Sequence, residues 1–566
     1  MRKTFAVAAL FAALIWAQKP AANPAAQKET AQSTPVFHST TRLVQVNVIV
    51  RHKGEPVTDL KREDFKVFDN GKEQKISSFS IASSNGKLPS SPVKLPPGVY
   101  TNQLMAKPGT PQSVTVILLD MQNTNARAGT AMSQQIWARQ QVVKFLQTIH
   151  PEDRVGVYLL TGNGLKVLHD YTTDSSGLLR ALNAYGDGKT IPDVSQDETM
   201  SFGTDMVTLN NWVTTGASGA QRDFYMIDRV KGTLAVIEFI ANHLASLPGR
   251  KNLVWVSTGF PLMIGYGPHA FNDPQRIQAT FDEEITRTVK AVNDANVAIY
   301  PVDERGLQTD QRFNAENQKV NLKPKLGMGP TVANQETMEE MASRTGGKAF
   351  YNTNDLKKAI RDAIDDASTT YTLGFYPSDE EYDGKFHKLT VKVEHPGIGY
   401  DVRYRKGYYD FQNKPADDKT RKVEISDAVL SPLDSSALGV SVGTARTEKP
   451  APNSMVLRLE VDPNGIGWTP KGDRMSSKLD VFLVQKNDRG SQFGGTDDTV
   501  ELNLTHDQFD RMMKSAGLVL PDRTVPLVSQ ATQLRIVVRD DASGTLGSVT
   551  VPLKGSSANS PQLIKR

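Results

Sequence analysis

The sequence predicts an α/β domain with a doubly wound sheet, inserted in a β-sandwich and followed by a C-terminal all-β sandwich. Residues 113–368 alternate apolar strands with amphipathic helices, a pattern typical of a mostly parallel sheet. Shorter strand patterns joined by turns flank this region, and a separate set of alternating strands follows it. The chain has 566 residues, which is too many for one hydrophobic core.

The N-terminus predicts an export signal over residues 1–22. Two basic residues precede an apolar stretch, 5–17, and small residues with Pro20 follow it. The alternative is an uncleaved membrane anchor, but the stretch is shorter than the roughly 20 residues that span a bilayer. The mature chain is therefore expected in the periplasm or outside the cell, with a disordered leader over residues 23–40 and no further transmembrane segment.

Composition limits the classes of function. Charged residues make up 23% and hydrophobic residues 38% of the chain, as in globular proteins. The formal net charge is +4 without a long run of Lys or Arg, so the sequence does not support nucleic-acid binding. Cysteine is absent, which excludes disulfides, a thiol nucleophile and a thiolate metal site.

The first β unit spans residues 41–82. Its first strand places alternating valines on one face, and Asn70-Gly71 offers a two-residue hairpin turn. A unit this small needs a partner sheet. Residues 370–410 carry a similar hairpin pattern, so the two segments are predicted to pair into one sandwich. Residues 83–112, rich in Ser, Pro and Gly, are interpreted as a linker.

The α/β domain is predicted over residues 113–368. Buried strands are expected at 114–119, 155–160, 252–257 and 297–302, and helices at 134–149, 230–247, 281–295 and 356–367. The region 186–222 lacks periodicity, and a loop of this length is usually functional or mobile. Trp212 in this loop is a predicted anchor for a partner.

The C-terminal region begins after a charged segment, 411–425, that is interpreted as a linker. Alternating strands with turn signals over residues 426–555 predict the second β-sandwich. Its one clear helical pattern is 506–516.

The strand 114–119 ends in a polar loop. Asp120 closes the strand, and Gln122, Asn123 and Thr124 follow. Open α/β sheets bind ligands at the carboxyl ends of their strands. This loop is therefore the leading candidate for a functional site.

Several motifs in order resemble the von Willebrand factor type A domain, and more widely a bacterial, acidobacterial-type family of secreted proteins related to it. The resemblance spans roughly residues 40–410. Its motifs are Gly54-Glu-Pro-Val-Thr-Asp-Leu-Lys-Arg-Glu-Asp-Phe65, the Leu-Leu-Asp-x-x-Asn-Thr loop at Asp120, Leu247-Pro-Gly-Arg-Lys-Asn252, Tyr371-Thr-Leu-Gly-Phe-Tyr-Pro377 and Arg405-Lys-Gly-Tyr408. It implies a Rossmann-like domain that uses a metal-ion-dependent adhesion site, in which Mg²⁺ takes oxygen ligands and a partner's carboxylate.

The adhesion-site pattern is incomplete in this sequence. Asp120 and Thr124 match the first and last positions of the Asp-x-Ser-x-Ser loop, and Gln122 replaces its first Ser. For the Thr of the second loop the best candidate is Thr233, followed by Thr190.

The third loop of the pattern expects an acidic residue, where this sequence has Ser257 and Thr258. Asp303 is an alternative carboxylate, but its strand lies two strands away, roughly 10 Å from Asp120. The loss of one carboxylate predicts weak or absent Mg²⁺ binding. The competing interpretation, which the pattern favours, is that Asp120 accepts hydrogen bonds within its own loop.

The sequence contains no zinc-protease, hydrolase-elbow or phosphate-loop motif. His387 and His395 are interpreted as surface residues. The predicted function is therefore an exported, non-enzymatic binding, adhesion or scaffold protein that recognises a protein or cell-surface ligand through Asp120, Asn123, Trp212 and Asp303. The alternative is a metal-assisted enzyme, or an enzyme-associated subunit, that uses the Asp120 loop.

Overall fold

A computed structural model describes residues 43–83, 95–103, 113–123, 130–186, 218–306 and 330–553, with internal gaps at 97, 152, 248, 261–262, 265–276, 278, 379–381, 395–398, 411–415, 445–453 and 516. Within these ranges, no helix combines the length and the apolar character that crossing a membrane requires. The predicted export signal at 1–22 and the leader at 23–40 lie outside the described residues.

The first strands follow the alternation of apolar residues. In β1 the buried residues include Val46 and Val48, while polar side chains between them are more exposed. Asn70 and Gly71 both adopt positive φ angles of 47° and 86°, which form the tight turn between β3 and β4. The strands are β1 (Val44–His52), β2 (Glu55–Pro56), β3 (Phe65–Asp69), β4 (Lys72–Gln74), β5 (Ile76–Ser83) and β6 (Val99–Thr101).

The central region alternates strands with helices. Its elements are β7 (Val114–Asp120), α1 (Thr130–Leu146), β8 (Val155–Thr161), β9 (Gly164–Thr172), α2 (Ser175–Gly186), α3 (Gly219–Leu244), β10 (Lys251–Ser257), β11 (Met263–Ile264), β12 (Ala279–Thr280), α4 (Asp282–Asp294), β13 (Val297–Asp303), α5 (Pro330–Thr345) and α6 (Leu356–Asp365). The main sheet has the order β13-β10-β7-β8-β9. Only β9 is antiparallel to its neighbour among these five strands.

Both faces of this sheet are covered by helices. Val116 and Leu118 of β7 share a core with buried residues of α3, α4 and α5. Ile117 and Leu119 point to the opposite face and share a core with α1, α2 and α6. Because β7 is buried on both faces, its sequence is a continuous apolar run. The carboxyl ends of β7, β10 and β13 meet at one edge, which will be called the carboxyl edge.

The chain then returns to the first sandwich through β14 (Thr369–Phe375), β15 (Phe386–Val393), β16 (Asp401–Arg403) and β17 (Gly407–Tyr409). One sheet has the order β16-β1-β14-β5, with β2 paired to β1, and the other has the order β17-β15-β3-β4. Each sheet therefore combines strands from both sides of the α/β region. A shared core includes Val46, Phe65, Tyr371 and Leu389.

The C-terminal sandwich packs two sheets around its own core. Its elements are α7 (Asp418–Leu430), β18 (Val440–Thr444), β19 (Ser454–Val461), β20 (Thr469–Lys471), β21 (Arg474–Lys486), β22 (Gln492–Thr505), α8 (His506–Met513), β23 (Leu518–Val519), β24 (Arg523–Pro526), β25 (Gln533–Asp540) and β26 (Leu546–Pro552). One sheet has the order β23-β19-β18-β6 with β24 on β19. The other has the order β20-β21-β25-β26 with β22 on β21.

The two segments interpreted as linkers contain structure. Within 83–112, β6 pairs with β18, so this stretch contributes a strand to the C-terminal sandwich. Helix α7 begins within 411–425. The side chain of Asp417, the residue before the helix, accepts a hydrogen bond from the backbone amide of Thr420. The sequence did not indicate these two elements, for separate reasons. Strand β6 has only three residues, too few to show a period. Helix α7 buries only a few of its residues, including Ile425 and Val429, so its apolar pattern is weak.

Candidate functional site at the carboxyl edge

Asp120 lies at the end of β7 and is 1% exposed. Its Oδ1 accepts hydrogen bonds from the backbone amides of Gln122 at 3.1 Å and Asn123 at 2.9 Å. Its Oδ2 accepts from Asn123 Nδ2 at 2.7 Å, from Trp255 Nε1 at 3.0 Å and from Ser257 Oγ at 2.8 Å. Five protein donors thus converge on one buried carboxylate and occupy its hydrogen-bonding positions.

The Asn123 side chain joins this carboxylate to two further elements. Its Nδ2 also donates to Thr233 Oγ1 of α3 at 2.7 Å, and its Oδ1 accepts from Arg229 Nη2 at 3.4 Å. The backbone carbonyl of Asn123 accepts a hydrogen bond from the Thr258 hydroxyl. Asn123 therefore connects the β7 loop with α3 and with the residues that follow β10.

Arg229 provides positive charge near this site. Burial lowers the pKa of its guanidinium, and the negative charge of Asp120 acts in the opposite direction. At the end of β10, Ser257 Oγ accepts a hydrogen bond from the backbone amide of Gly259 at 2.9 Å. Asp120, Asn123, Arg229, Thr233, Ser257 and Thr258, with the indole of Trp255, will be called the Asp120 hub.

The donor set of the hub does not fit a Mg²⁺ site. Mg²⁺ requires oxygen lone pairs in a near-octahedral arrangement. Both Asp120 oxygens already face N–H or O–H donors, and the Trp255 indole can only donate. The Thr233 hydroxyl donates to the carbonyl of Arg229 at 2.8 Å and accepts from Asn123. A cation on this carboxylate would have to displace donors, because hydrogen atoms occupy the directions that a metal ion would take.

The structure brings together Asp120, Asn123, Thr233, Ser257 and Thr258 from the predicted set. Thr233, the candidate for the second-loop position of the pattern, lies inside helix α3, where the sequence also predicted a helix, and it reaches the site from the helix surface. Gln122 is buried beside the hub, and its Nε2 lies close to Gly232 of α3. Thr124, Thr190 and Trp212 lie outside the described residues.

Asp303 is separate from the hub. It ends β13, whose partner strand β10 lies between it and β7, so Ser257 is its neighbour in register. Its two carboxylate oxygens accept hydrogen bonds from the Arg305 guanidinium at 2.8 and 2.6 Å. The alternative carboxylate for a metal site is therefore paired with an arginine of its own loop.

Two members of the hub were missed by the sequence analysis. Trp255 precedes Ser257 by two residues on one strand, so the strand period places both side chains on the same face. Arg229 precedes Thr233 by four residues on α3, which places both on one helix face. These periodicities could have suggested the two residues, but no local pattern indicated that their faces meet Asp120.

Comparison with known proteins identifies no matching family model and no matching curated protein. Similar solved structures include an aerotolerance-related membrane protein from Bacteroides fragilis, at 13% identity over 44% of this chain and 98% of that chain, with a TM-score of 0.24. The VWA domain of SpRpn10 has 13% identity over 44% of this chain and 94% of its own, with a TM-score of 0.20.

A longer likeness is to the pilus adhesin RrgA from Streptococcus pneumoniae. It has 9% identity over 90% of this chain and 80% of that chain, with a TM-score of 0.26. The similar structures thus include VWA-domain and adhesin proteins. TM-scores of this size support no functional inference, and the architecture of the central sheet rests on its own strand order and helix packing.

Proposed function

We propose that this chain is an exported, non-enzymatic binding protein. Its central von Willebrand A-like domain would recognise a protein or cell-surface ligand at the carboxyl edge without a bound metal ion. The observation that carries this proposal is that the Asp120 carboxylate already accepts hydrogen bonds from five donors within the protein. The adhesion site implied by the resemblance is therefore a degenerate one.

The hub is suited to hold a recognition surface in one conformation. It connects the ends of β7 and β10 with helix α3 through Asn123. Asn334 extends this network from α5, donating to the carbonyls of Thr258 and Gly259 at 3.0 and 3.2 Å. Loops that are ordered before binding lose less conformational entropy when a partner docks. Fixed loops on a rigid sheet are a common arrangement for binding surfaces.

The proposed compartment follows from the N-terminal sequence. The basic start, the apolar stretch at 5–17 and the small residues after it are typical of a cleaved export signal. The absence of cysteine suits a chain that is stabilised by packing rather than by disulfides. The two β-sandwiches would act as spacers and as additional contact surfaces.

Affinity capture tests this proposal. The mature chain, immobilised, is exposed to periplasmic and extracellular protein fractions in Mg²⁺ and in EDTA. We expect the same ligand to be captured in both conditions, because no cation bridges the partners. Asn123→Ala should reduce capture at least about tenfold, since it disconnects the β7 loop from α3 and β10. Circular dichroism verifies that the variant remains folded.

Lys144→Ala is the matched control, because Lys144 is exposed at the last turn of α1, away from the start of that helix at the carboxyl edge. It should capture the ligand as the wild type does. Capture that disappears in EDTA would show a metal-dependent site. Capture that persists in folded Asn123→Ala would place the contact surface elsewhere.

A further inference from the structure

A second polar cluster lies in the first β-sandwich and is independent of the Asp120 hub. It consists of Asp383, His387 and Asp410, with Asp69 and Tyr408 behind the imidazole. His387 was expected at the surface, but it is 4% exposed. The reason is the strand period, because His387 shares the inward face of β15 with Leu389 and Val391.

The side chains of Asp383, His387 and Asp410 are separated by distances close to those between metal ligands. His387 Nε2 lies 3.3 Å from Asp383 Oδ1 and 3.9 Å from Asp410 Oδ2, and one ligand atom from each residue lies within 4.8 Å of the others. Zn²⁺ binds nitrogen and oxygen ligands at about 2.0–2.2 Å, so neighbouring ligands of a tetrahedral ion are about 3.3–3.6 Å apart. Small side-chain adjustments would bring all three groups to such distances.

The imidazole is oriented by a carboxylate on its other side. His387 Nδ1 lies 2.9 Å from Asp69 Oδ1, and Tyr408 donates from its hydroxyl to Asp69 Oδ2 at 2.7 Å. Because a carboxylate only accepts, Nδ1 must carry the proton of this hydrogen bond. The other ring nitrogen, Nε2, faces Asp383 and Asp410. A histidine held by a carboxylate in this way is the usual outer support of a zinc ligand.

Carboxylates lie on both sides of the His387 ring. Three carboxylates approach one imidazole, and Asp69 and Asp410 are 6% and 2% exposed. Backbone amides moderate the charge in part: Lys385 donates to Asp383 Oδ1 at 2.8 Å, and Asp383 donates to Asp410 Oδ2 at 3.4 Å. Oxygens of Asp383 and Asp410 thus lie next to the same ring nitrogen of His387. A divalent cation between these atoms would be coordinated by one nitrogen and two carboxylate oxygens.

We propose that Asp383, His387 and Asp410 form a Zn²⁺ site with a fourth position for water. One imidazole with two carboxylates favours a transition metal over Mg²⁺ or Ca²⁺, which prefer sets made only of oxygen. The Asp383 side chain is 40% exposed, so the ion can enter from solvent. The site joins the turn before β15 to the residue after β17, and bound Zn²⁺ would clamp this end of the sandwich.

Calorimetric titration of the chelator-treated full-length chain with ZnCl₂ tests the proposal. We expect one Zn²⁺ per chain and a rise in the melting temperature on binding. Asp383→Asn should weaken binding at least about tenfold, and this exposed turn residue can be changed without disturbing the core. Asp69→Asn should weaken binding about 10- to 100-fold, as loss of an outer hydrogen-bond partner does. Asp59→Asn, an exposed carboxylate of the same sandwich, is the matched control.

Unchanged Zn²⁺ affinity in Asp383→Asn would overturn the assignment of the site. The absence of Zn²⁺ binding by the wild type would overturn it as well. Nitrogen NMR of His387 would then show whether a doubly protonated imidazolium replaces the ion. Tighter binding of Ca²⁺ than of Zn²⁺ would contradict the class of metal. Zn²⁺ binding that is lost in Asp383→Asn and kept in Asp59→Asn would support the site whether or not the carboxyl edge binds a partner.

Discussion

The indole Nε1 of Trp255 donates a hydrogen bond to Oδ2 of Asp120 at 3.0 Å, across the parallel pair of β7 and β10. An indole N–H is a donor only, so this contact occupies one acceptor position of the carboxylate with a donor of the protein itself. Ser257 takes a second direction on the same oxygen at 2.8 Å. The strand next to Asp120 thus supplies donors where the adhesion-site pattern expects another carboxylate.

Ser257→Ala should destabilise the protein by about 1–3 kcal/mol. The substitution removes the hydroxyl donor to Asp120 and the acceptor for the Gly259 amide, and both groups are buried. Urea denaturation followed by circular dichroism measures the free energy of unfolding. Ser80→Ala, at an exposed position of β5, should change it by less than about 0.5 kcal/mol. Equal effects of the two substitutions would contradict the structural role of the hub.

Mg²⁺ should produce no saturable heat when titrated into the wild type or into Asp120→Ala. Binding would require the ion to displace the Trp255 and Ser257 donors from the carboxylate. Tryptophan fluorescence offers a second measurement, because displacement would change the surroundings of the Trp255 indole. A saturable heat in the wild type that is lost in Asp120→Ala would restore the metal-binding interpretation.

The contribution of His243 to stability should decrease as the pH rises above about 6.5. Its Nδ1 lies 2.8 Å from the carbonyl of Asp434 and its Nε2 lies 3.3 Å from Asp170 Oδ2, so both nitrogens face acceptors. Burial by itself would lower the pKa of His243, but Asp170 and the Asp434 backbone raise it above 6.5.

The sign follows from this raised pKa. The imidazolium stabilises the fold fully below the unfolded pKa of about 6.5, and this contribution is lost as the pH passes the higher folded pKa. Each unit of difference in pKa corresponds to about 1.4 kcal/mol. Urea denaturation at several pH values should show that the stability difference between the wild type and His243→Gln becomes smaller as the pH rises through this range. His506→Gln, whose histidine is exposed, should follow the wild type. A difference between the wild type and His243→Gln that does not change with pH would contradict this assignment.

Asp366→Asn should destabilise the protein by about 3–5 kcal/mol. The Asp366 carboxylate pairs with Arg51 of β1 at 2.8 Å and with Arg403 of β16, and it accepts from Tyr300 of β13 at 3.1 Å. Its neutralisation removes the buried countercharge of Arg51 and Arg403 at the contact between the first sandwich and the α/β region, and Arg403 keeps only the exposed Asp401 at 3.4 Å.

The neighbouring residue, Asp365, provides the control for Asp366→Asn. Asp365 is 44% exposed and pairs with Arg361 on the helix surface. Asp365→Asn should therefore cost no more than about 1 kcal/mol. Thermal and urea denaturation of both variants would distinguish the buried ion pairs from the surface one. A small effect of Asp366→Asn would indicate that water replaces the lost interaction.

Much of the local architecture could be predicted from the sequence. The apolar run at 114–119 and the alternating valines near 44–50 indicate strands, and β7 and β1 occupy these positions. The strand boundaries in the sequence also predicted that Asp120 ends one apolar strand, and that Ser257 and Thr258 stand at the end of another. These features depend on side-chain period and turn chemistry within a few residues.

The surroundings of the site could not be predicted in this way. Ser257 is 137 residues from Asp120 in the chain, and Thr233 is 110 residues from Asn123. The short strand β6 and the burial of His387 were missed for a related reason, because each depends on a pairing partner more than 300 residues away. Local propensity contains no information on such partners.

The sequence by itself determined which residues are available: a carboxylate at the end of a buried strand, and hydroxyls instead of a carboxylate at the end of another. Only the tertiary structure decided what these groups contact. It surrounded Asp120 with hydrogen-bond donors and His387 with carboxylates. The physical reason is that a buried charge is stabilised by the groups that packing brings to it, and these come from distant parts of the chain.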